Sequence, residues 1–136
     1  MILLHLTCLA TAIYFEAGNQ EYKGKLAVGN VIMNRVSDQR YPDDPCDVVK
    51  QGEYHDWSNH PVKWRCQFTY WCDGKPEKAP NKAVMKDSWK AAVSAYHNVI
   101  DVTGGATHYH SNKVNPSWAD PEKMTKTIGD HIFYRL

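Results

Sequence analysis

The sequence predicts an α+β domain, rich in helix and closed by a small antiparallel sheet. Three observations carry that expectation. Apolar residues recur at three- and four-residue steps before residue 37 and again between residues 81 and 100. Two strand-like stretches, "ATHYHS" and "IGDHIFYRL", lie near the end, separated by the Pro-bounded loop "VNPSWADP". Between the helical stretches runs a long segment punctuated by Pro, Gly, Asp and Asn. The 136 residues fit one domain, 1–136, large enough to bury a core.

The first helix is expected over Leu3–Ala17, with Leu6, Leu9, Ala10, Ile13 and Ala17 forming one apolar face. Glu16 projects beside Ala12 and Ile13, with Leu9 beyond, so its carboxyl sits at the edge of the buried face. A charge there is costly unless it is paired or used. The apolar run Ile2–Phe15 is about 14 residues, short of the roughly 20 a spanning helix needs. It shows neither a basic n-region nor a small-residue cleavage site, so no membrane span and no secretory leader are expected.

The turn "AGNQ" places Gly18 and Asn19 where left-handed backbone is easily adopted. A second helix follows over about Lys23–Val36. Its apolar residues cover more than one face, which makes it central. Asn30 and Asn34 share a side with Arg35 close by, and the ordinary expectation for them is solvent exposure or helix capping.

From Ser37 to Pro80 the stretches "YPDDPCD", "QGEYHDWSNHP" and "DGKPEKAP" read as loops, while "CQFTYWC" suits a short strand or a cleft lining. A loop-rich segment this long inside a domain is functional or heavily tied down. The third helix starts after Asn81. Met85, Trp89, Ala92, Val93, Tyr96, Val99 and Ile100 follow helical steps, and Gly104-Gly105 is the expected stop.

Cys8, within the first helix, reads as a buried free thiol. Cys46, Cys66 and Cys72 permit a disulfide in an oxidising compartment, and four cysteines allow three complete pairings that sequence does not rank. A zinc site joining these cysteines to His55 or His60 lacks paired C-x-x-C knuckles. The net charge is +1 and the basic residues are dispersed, so no nucleic-acid partner is expected. Five Trp and eight Tyr suit ligands apolar on one side and polar on the other, such as sugar rings, although core packing accounts for any single one.

Glu16 is the first candidate for chemistry. Desolvation favours its neutral form, and a protonated glutamate is what protonation of a glycosidic oxygen requires. The plain alternative is a helix-end ion pair to Arg35 or Lys23. Glycosidases usually pair the acid with a second carboxylate. Glu21, Glu53, Asp56, Asp73 and Asp130 are available, but none has a comparable setting. One carboxyl suffices where the 6-hydroxyl of a muramic acid residue attacks its own anomeric carbon, leaving a 1,6-anhydro product. His108 and His110, two apart on one side of a strand, form a candidate metal pair that His131 would complete, as a zinc amidase requires. Hydrogen-bonded cleft or core histidines are the simpler reading. A Cys-His pair of Cys66 or Cys72 with His108 has nothing to bring it together.

Three ordered blocks then carry a resemblance over nearly the whole chain. "AIYFEAGNQEYKGKLAVGNVIMNRV" resembles the opening of the SleB/CwlJ-type cell wall hydrolases, matching at Tyr14, Glu16, Ala17, Gly24, Ala27, Val28, Val31, Asn34, Arg35 and Val36. "CQFTYWCDG" is similar to a C-Q-F-S-x-x-C-D-G block, and "GATHYHSNKVNPSWA…TIGDHIFYR" to the family's closing pattern. Gly18 departs from the usual Arg, and Asn19-Gln20 from Gly-Glu or Ser-Glu. The resemblance implies a lysozyme-like fold and cleavage of peptidoglycan glycan strands with Glu16 as the catalytic acid. It makes Gln67, Phe68, Thr69, His108, Tyr109, Trp118, His131 and Tyr134 candidate substrate-binding residues and calls for no metal or cofactor. A monomer is expected, acting on the periplasmic wall as a phage endolysin made without a leader. A zinc-dependent amidase and a non-catalytic glycan-binding module are the alternatives.

Overall fold

A computed structural model describes residues 1–136. Three helices make the first layer: α1 (Ile2–Ala17), α2 (Tyr22–Val36) and, after the middle segment, α4 (Lys82–Tyr96). The middle segment carries the short helix α3 (Pro45–Val49), the strands β1 (Gly52–Tyr54) and β2 (Pro61–Cys66), and a 3-10 turn at Thr69–Cys72. The chain ends in β3 (His108–Ser111), β4 (Met124–Ile128) and β5 (His131–Tyr134), an antiparallel sheet with β5 in the centre. The expected α+β class, helix-rich with small antiparallel sheets, is the one observed. No helix is long and apolar enough to cross a membrane.

The apolar stripe of α1 dictates the core. Leu6, Leu9, Ala10, Ala12, Ile13 and Ala17 are buried against Leu26, Val28 and Ile32 of α2 and Ala91, Ala92 and Ala95 of α4. Small residues set the helix separation. A Cβ on Gly29 would stand 2.9 Å from Ala95 Cβ and 3.1 Å from Ile13 Cδ1, so only glycine lets α2 approach this closely. A second cluster, Ala27, Val31, Ala106, Ile128 and Phe133, fastens the sheet to the other side of α2. The central position expected for α2 follows from this two-sided burial.

Several expectations change. α4 stops at Tyr96, because Asn98 adopts left-handed backbone (φ 52°) well before Gly104. Val99 and Ile100 therefore lie outside the helix and are exposed. The segment read as loop holds α3, whose start is an Asp44 cap accepting from the amides of Cys46 and Asp47, with Pro45 in the first turn. It also holds the β1–β2 hairpin. Of the two readings of "CQFTYWC", the strand does not hold, since Cys66 ends β2 and Thr69–Cys72 is the 3-10 turn, while Gln67 and Phe68 do line a cavity. β4 is an additional strand, whose polar sequence "MTKTI" gives little alternation to read. Gly18 keeps a right-handed backbone (φ −60°), so the α1–α2 turn uses no left-handed residue there.

No cysteine is free. Cys8 bonds Cys46, pinning α1 to α3, and Cys66 bonds Cys72 across the 3-10 turn. The buried free thiol expected at Cys8, the cysteine zinc site and a Cys66 or Cys72 nucleophile all lose their sulfurs to these bonds.

The polar side of α2 also faces inward. Asn30 is buried, donating its amide to Ile100 O at 2.9 Å and accepting from Val102 N at 3.0 Å. Asn34 donates to Asp101 Oδ2 and to Ala106 O, both at 2.9 Å. These bonds satisfy the otherwise irregular 100–107 connection and fix where β3 begins.

Candidate active site

Glu16 stands in the last turn of α1, where the apolar stripe meets a cavity of about 180 Å³. Four separate parts of the chain close around it. Arg35 comes from α2, Gln67 and Phe68 from the link after β2, and His108 and Tyr109 from β3, with Trp118 from the following loop. The side chain next to the carboxyl is Tyr109, whose phenol donates to Glu16 Oε1 at 2.9 Å. Burial raises the Glu16 pKa, and the Tyr109 hydrogen bond to the carboxylate offsets part of that rise. Burial and the neighbouring Glu16 in turn push the Tyr109 phenol well above its ordinary range. Tyr109 is thus a fixed donor, held by its ring against Phe133 and His131.

The ion pair from Glu16 to Arg35 or Lys23 does not form. Arg35 is buried and has no carboxylate partner. Its Nε donates to Thr107 O at 2.7 Å, and its guanidinium lies 5.1 Å from the centre of the Tyr41 ring and 5.7 Å from that of Phe68. Desolvation lowers its pKa, with Tyr41 and Tyr109 opposing. Exposure was the wrong expectation for Arg35, and a signal against it was present: Val28, Val31, Ile32 and Arg35 share one helical stripe.

His108 forms part of the wall. Burial, then the nearby Arg35 and Arg40, hold its pKa down to about 4, so it is neutral near pH 7. His110 points behind the wall, fully engaged. Its Nδ1–H donates to Ser111 O at 2.7 Å, and its Nε2 meets the Tyr134 hydroxyl at 2.8 Å. With His131 packed on Tyr109, no three His, Cys, Asp or Glu side chains are grouped to hold a metal ion. The candidate triad of His108, His110 and His131 is therefore not assembled as a zinc site.

Of the expected cleft residues, Gln67, Phe68, His108, Tyr109 and Trp118 surround Glu16, and Thr69, His131 and Tyr134 do not line the cavity. Thr69 is exposed at the start of the 3-10 turn. Tyr134 is buried, its ring edge-on to Trp118 at 5.4 Å, so it backs the wall. No carboxylate other than Glu16 lines the cavity; Glu21, Glu53, Asp56, Asp73 and Asp130 all lie elsewhere. Asp130 accepts from Gln20 Nε2, and Gln20 Oε1 accepts from Asp130 N, each at 3.0 Å. Gln20, one of the departures from the family pattern, thereby ties the α1–α2 turn to the β4–β5 turn.

A helical layer and a small sheet enclosing one partly buried acid define the class: a lysozyme-like, single-carboxylate cleft protein. The chain belongs to the cell wall hydrolase family, whose sequence profile matches residues 19–134, beginning just after Glu16. It is of the SleB/CwlJ type. It is 30% identical over 126 residues to the spore cortex-lytic enzyme of Halalkalibacterium halodurans, covering 92% of this chain and 33% of that protein. To the spore cortex-lytic enzyme of Bacillus cereus it is 29% identical, covering 92% and 42%. The chain thus spans between a third and under half of the length of these curated relatives. The crystal structure of the catalytic domain of the B. cereus SleB protein superposes with a TM-score of 0.70 at 29% identity, over 96% of this chain and 89% of that one. The catalytic domain of the germination-specific lytic transglycosylase SleB from Bacillus anthracis gives 0.72 at 28% identity, over 96% and 93%.

Proposed function

We propose that residues 1–136 form one catalytic unit that cleaves peptidoglycan glycan strands at the bond following N-acetylmuramic acid, as a lytic transglycosylase. The observation that carries this reading is a lone carboxyl in the cavity, its pKa raised by burial and its position fixed by Tyr109, with no second carboxylate to serve as nucleophile or base.

In the proposed reaction, protonated Glu16 gives its proton to the glycosidic oxygen as the bond to the muramic acid anomeric carbon breaks. The Glu16 carboxylate, held by the Tyr109 phenol, then takes the proton of the sugar's 6-hydroxyl as that oxygen closes on the anomeric carbon. The glutamate ends protonated and the product carries a 1,6-anhydro ring. Arg35 places an uncompensated positive charge on the wall, suited to the amide and lactyl oxygens of the substrate. Neutral His108 offers hydrogen-bonding capacity without charge, and Trp118 a flat apolar face.

Digestion of purified sacculi followed by mass spectrometry tests the reading. Anhydro-muropeptides are the expected products. Reducing-end muramic acid would instead assign hydrolysis, and free peptides would assign an amidase. Activity in excess EDTA is expected to persist.

A further inference from the structure

We propose that the β1–β2 hairpin is a second glycan-binding surface, a stacking platform of Trp64 and Trp57 that grips the polysaccharide beyond the cavity. The proposal rests on the reading that the cavity takes a glycan strand.

The hairpin is irregular in a directed way. Gly52 pairs with Cys66 and Tyr54 with Pro61, two steps along β1 against five along β2, so three extra residues bulge from β2. Bulges re-aim side chains. Here the bulge holds Trp64 at φ 65° with 59% of its surface exposed. A bulky residue in left-handed backbone is strained, and this one still leaves more than half of its surface exposed. Packing does not explain it. Trp57, toward the tip, is 80% exposed, its ring stacked on His55 at 5.0 Å. Lys63 supports the arrangement. Its ammonium lies 5.6 Å from the centre of the Trp64 ring, and its Cε would meet a Cβ on Gly74 at 3.2 Å.

The root of the hairpin adjoins the cavity. The Gln67 amide donates to Gln51 O at 3.0 Å at the root of the hairpin, and Gln67 itself lines the cavity. The Cys66–Cys72 bond locks that root. A long polymer leaving the cavity past Gln67 meets the hairpin next.

Charge indicates the kind of ligand. Lys63 and Arg65 are balanced by Glu53 and Asp56 on the same hairpin, and Arg65 approaches Glu53 at 3.7 Å. A near-neutral surface of exposed indoles fits a polar ligand with apolar ring faces, a pyranose chain, better than an anionic lipid surface.

The test is co-sedimentation with purified sacculi, using Glu16→Gln protein so that the ligand survives. Trp64→Gly suits the left-handed backbone, so its melting temperature should hold or rise while its apparent Kd for sacculi weakens about tenfold. Trp57→Ala should weaken binding in the same direction. Unchanged binding of Trp64→Gly overturns the proposal, as does a lowered melting temperature, which would make the ring structural. Tighter binding of the parent to anionic phospholipid vesicles than to sacculi also overturns it. Release of soluble muropeptides by Glu16→Gln would instead sink the Glu16 assignment. The sedimentation ratio, taken on ice before digestion proceeds, would still decide the hairpin.

Discussion

The helical layer and the segment 37–80 reach the same cavity by different physics. α1, α2 and α4 are held by interlocking apolar stripes and a glycine-tight approach, and they deliver Glu16 and Arg35. The middle segment anchors Val48, Val49, Phe68 and Tyr70 in that core, but its hairpin is mostly exposed and two disulfides staple it in addition. It delivers Gln67 and Phe68. The difference teaches that the acid is positioned chiefly by helix packing, and the facing wall by the buried Phe68 together with the Cys66–Cys72 closure beside it. Chemistry and wall should therefore fail separately.

The largest effect should come from the packed side. Glu16→Gln is expected to lower turnover on sacculi by about 10³-fold or more, with circular dichroism and sacculus binding retained. Turnover near wild type would remove the acid from the scheme. Next comes the packing itself. Leu9→Ala should cost roughly 2–5 kcal/mol in urea unfolding, because a fully buried side chain leaves a cavity between three helices.

The stapled side should respond differently to its two bonds. Replacing Cys8 and Cys46 by Ser opens a loop with a separation of 38 residues, and a loss of about 4 kcal/mol is expected from loop closure. Replacing Cys66 and Cys72 opens a separation of only 6 and should cost about 2 kcal/mol. It frees Gln67 and Phe68, however, so turnover should fall by a factor on the order of 10. Equal activity losses for the two pairs would erase the distinction between fold staple and wall staple.

Two smaller effects concern pH. Tyr109→Phe removes the bond that lowers the Glu16 pKa, so the alkaline limb of the activity profile should move to higher pH. Glu16 is raised in the folded chain, so its contribution to stability is complete below the ordinary glutamate pKa. It declines as pH climbs through the folded value. Glu16→Gln should accordingly raise the melting temperature at pH 8 more than at pH 4. His108 has the opposite sign. Its pKa, depressed from 6.5 to about 4, makes its contribution present above 6.5 and lost as pH falls toward 4.

What was legible in the sequence follows the same division. α1 and α2 were readable to within a residue or so because their apolar residues repeat with the helix period, and Glu16 could be placed at the edge of that face by projection alone. The middle segment was not readable. Its short elements have no period long enough to register: α3 is set by a single Asp44–Pro45 cap, and the disulfides join residues that only the fold brings together. Among the cavity residues, Tyr109 and Trp118 came from family resemblance alone, whereas Gln67 and Phe68 lay in the stretch also read as a cleft lining and His108 was singled out by its strand spacing to His110. Arg35 was misplaced because a charged residue on a buried stripe looks like an exposed one until its partners, here a backbone carbonyl and two aromatic rings, are known.

Glu16 occupies the penultimate position of α1, and no basic residue stands in that last turn. The aligned peptide dipoles of the helix concentrate about half a negative charge at this end. A carboxylate formed there faces the repulsive pole of its own helix. The field therefore opposes the deprotonated state and favours recapture of a proton. In the proposed reaction the helix axis would act as a return spring on the proton, favouring a protonated Glu16 at the start of each cycle.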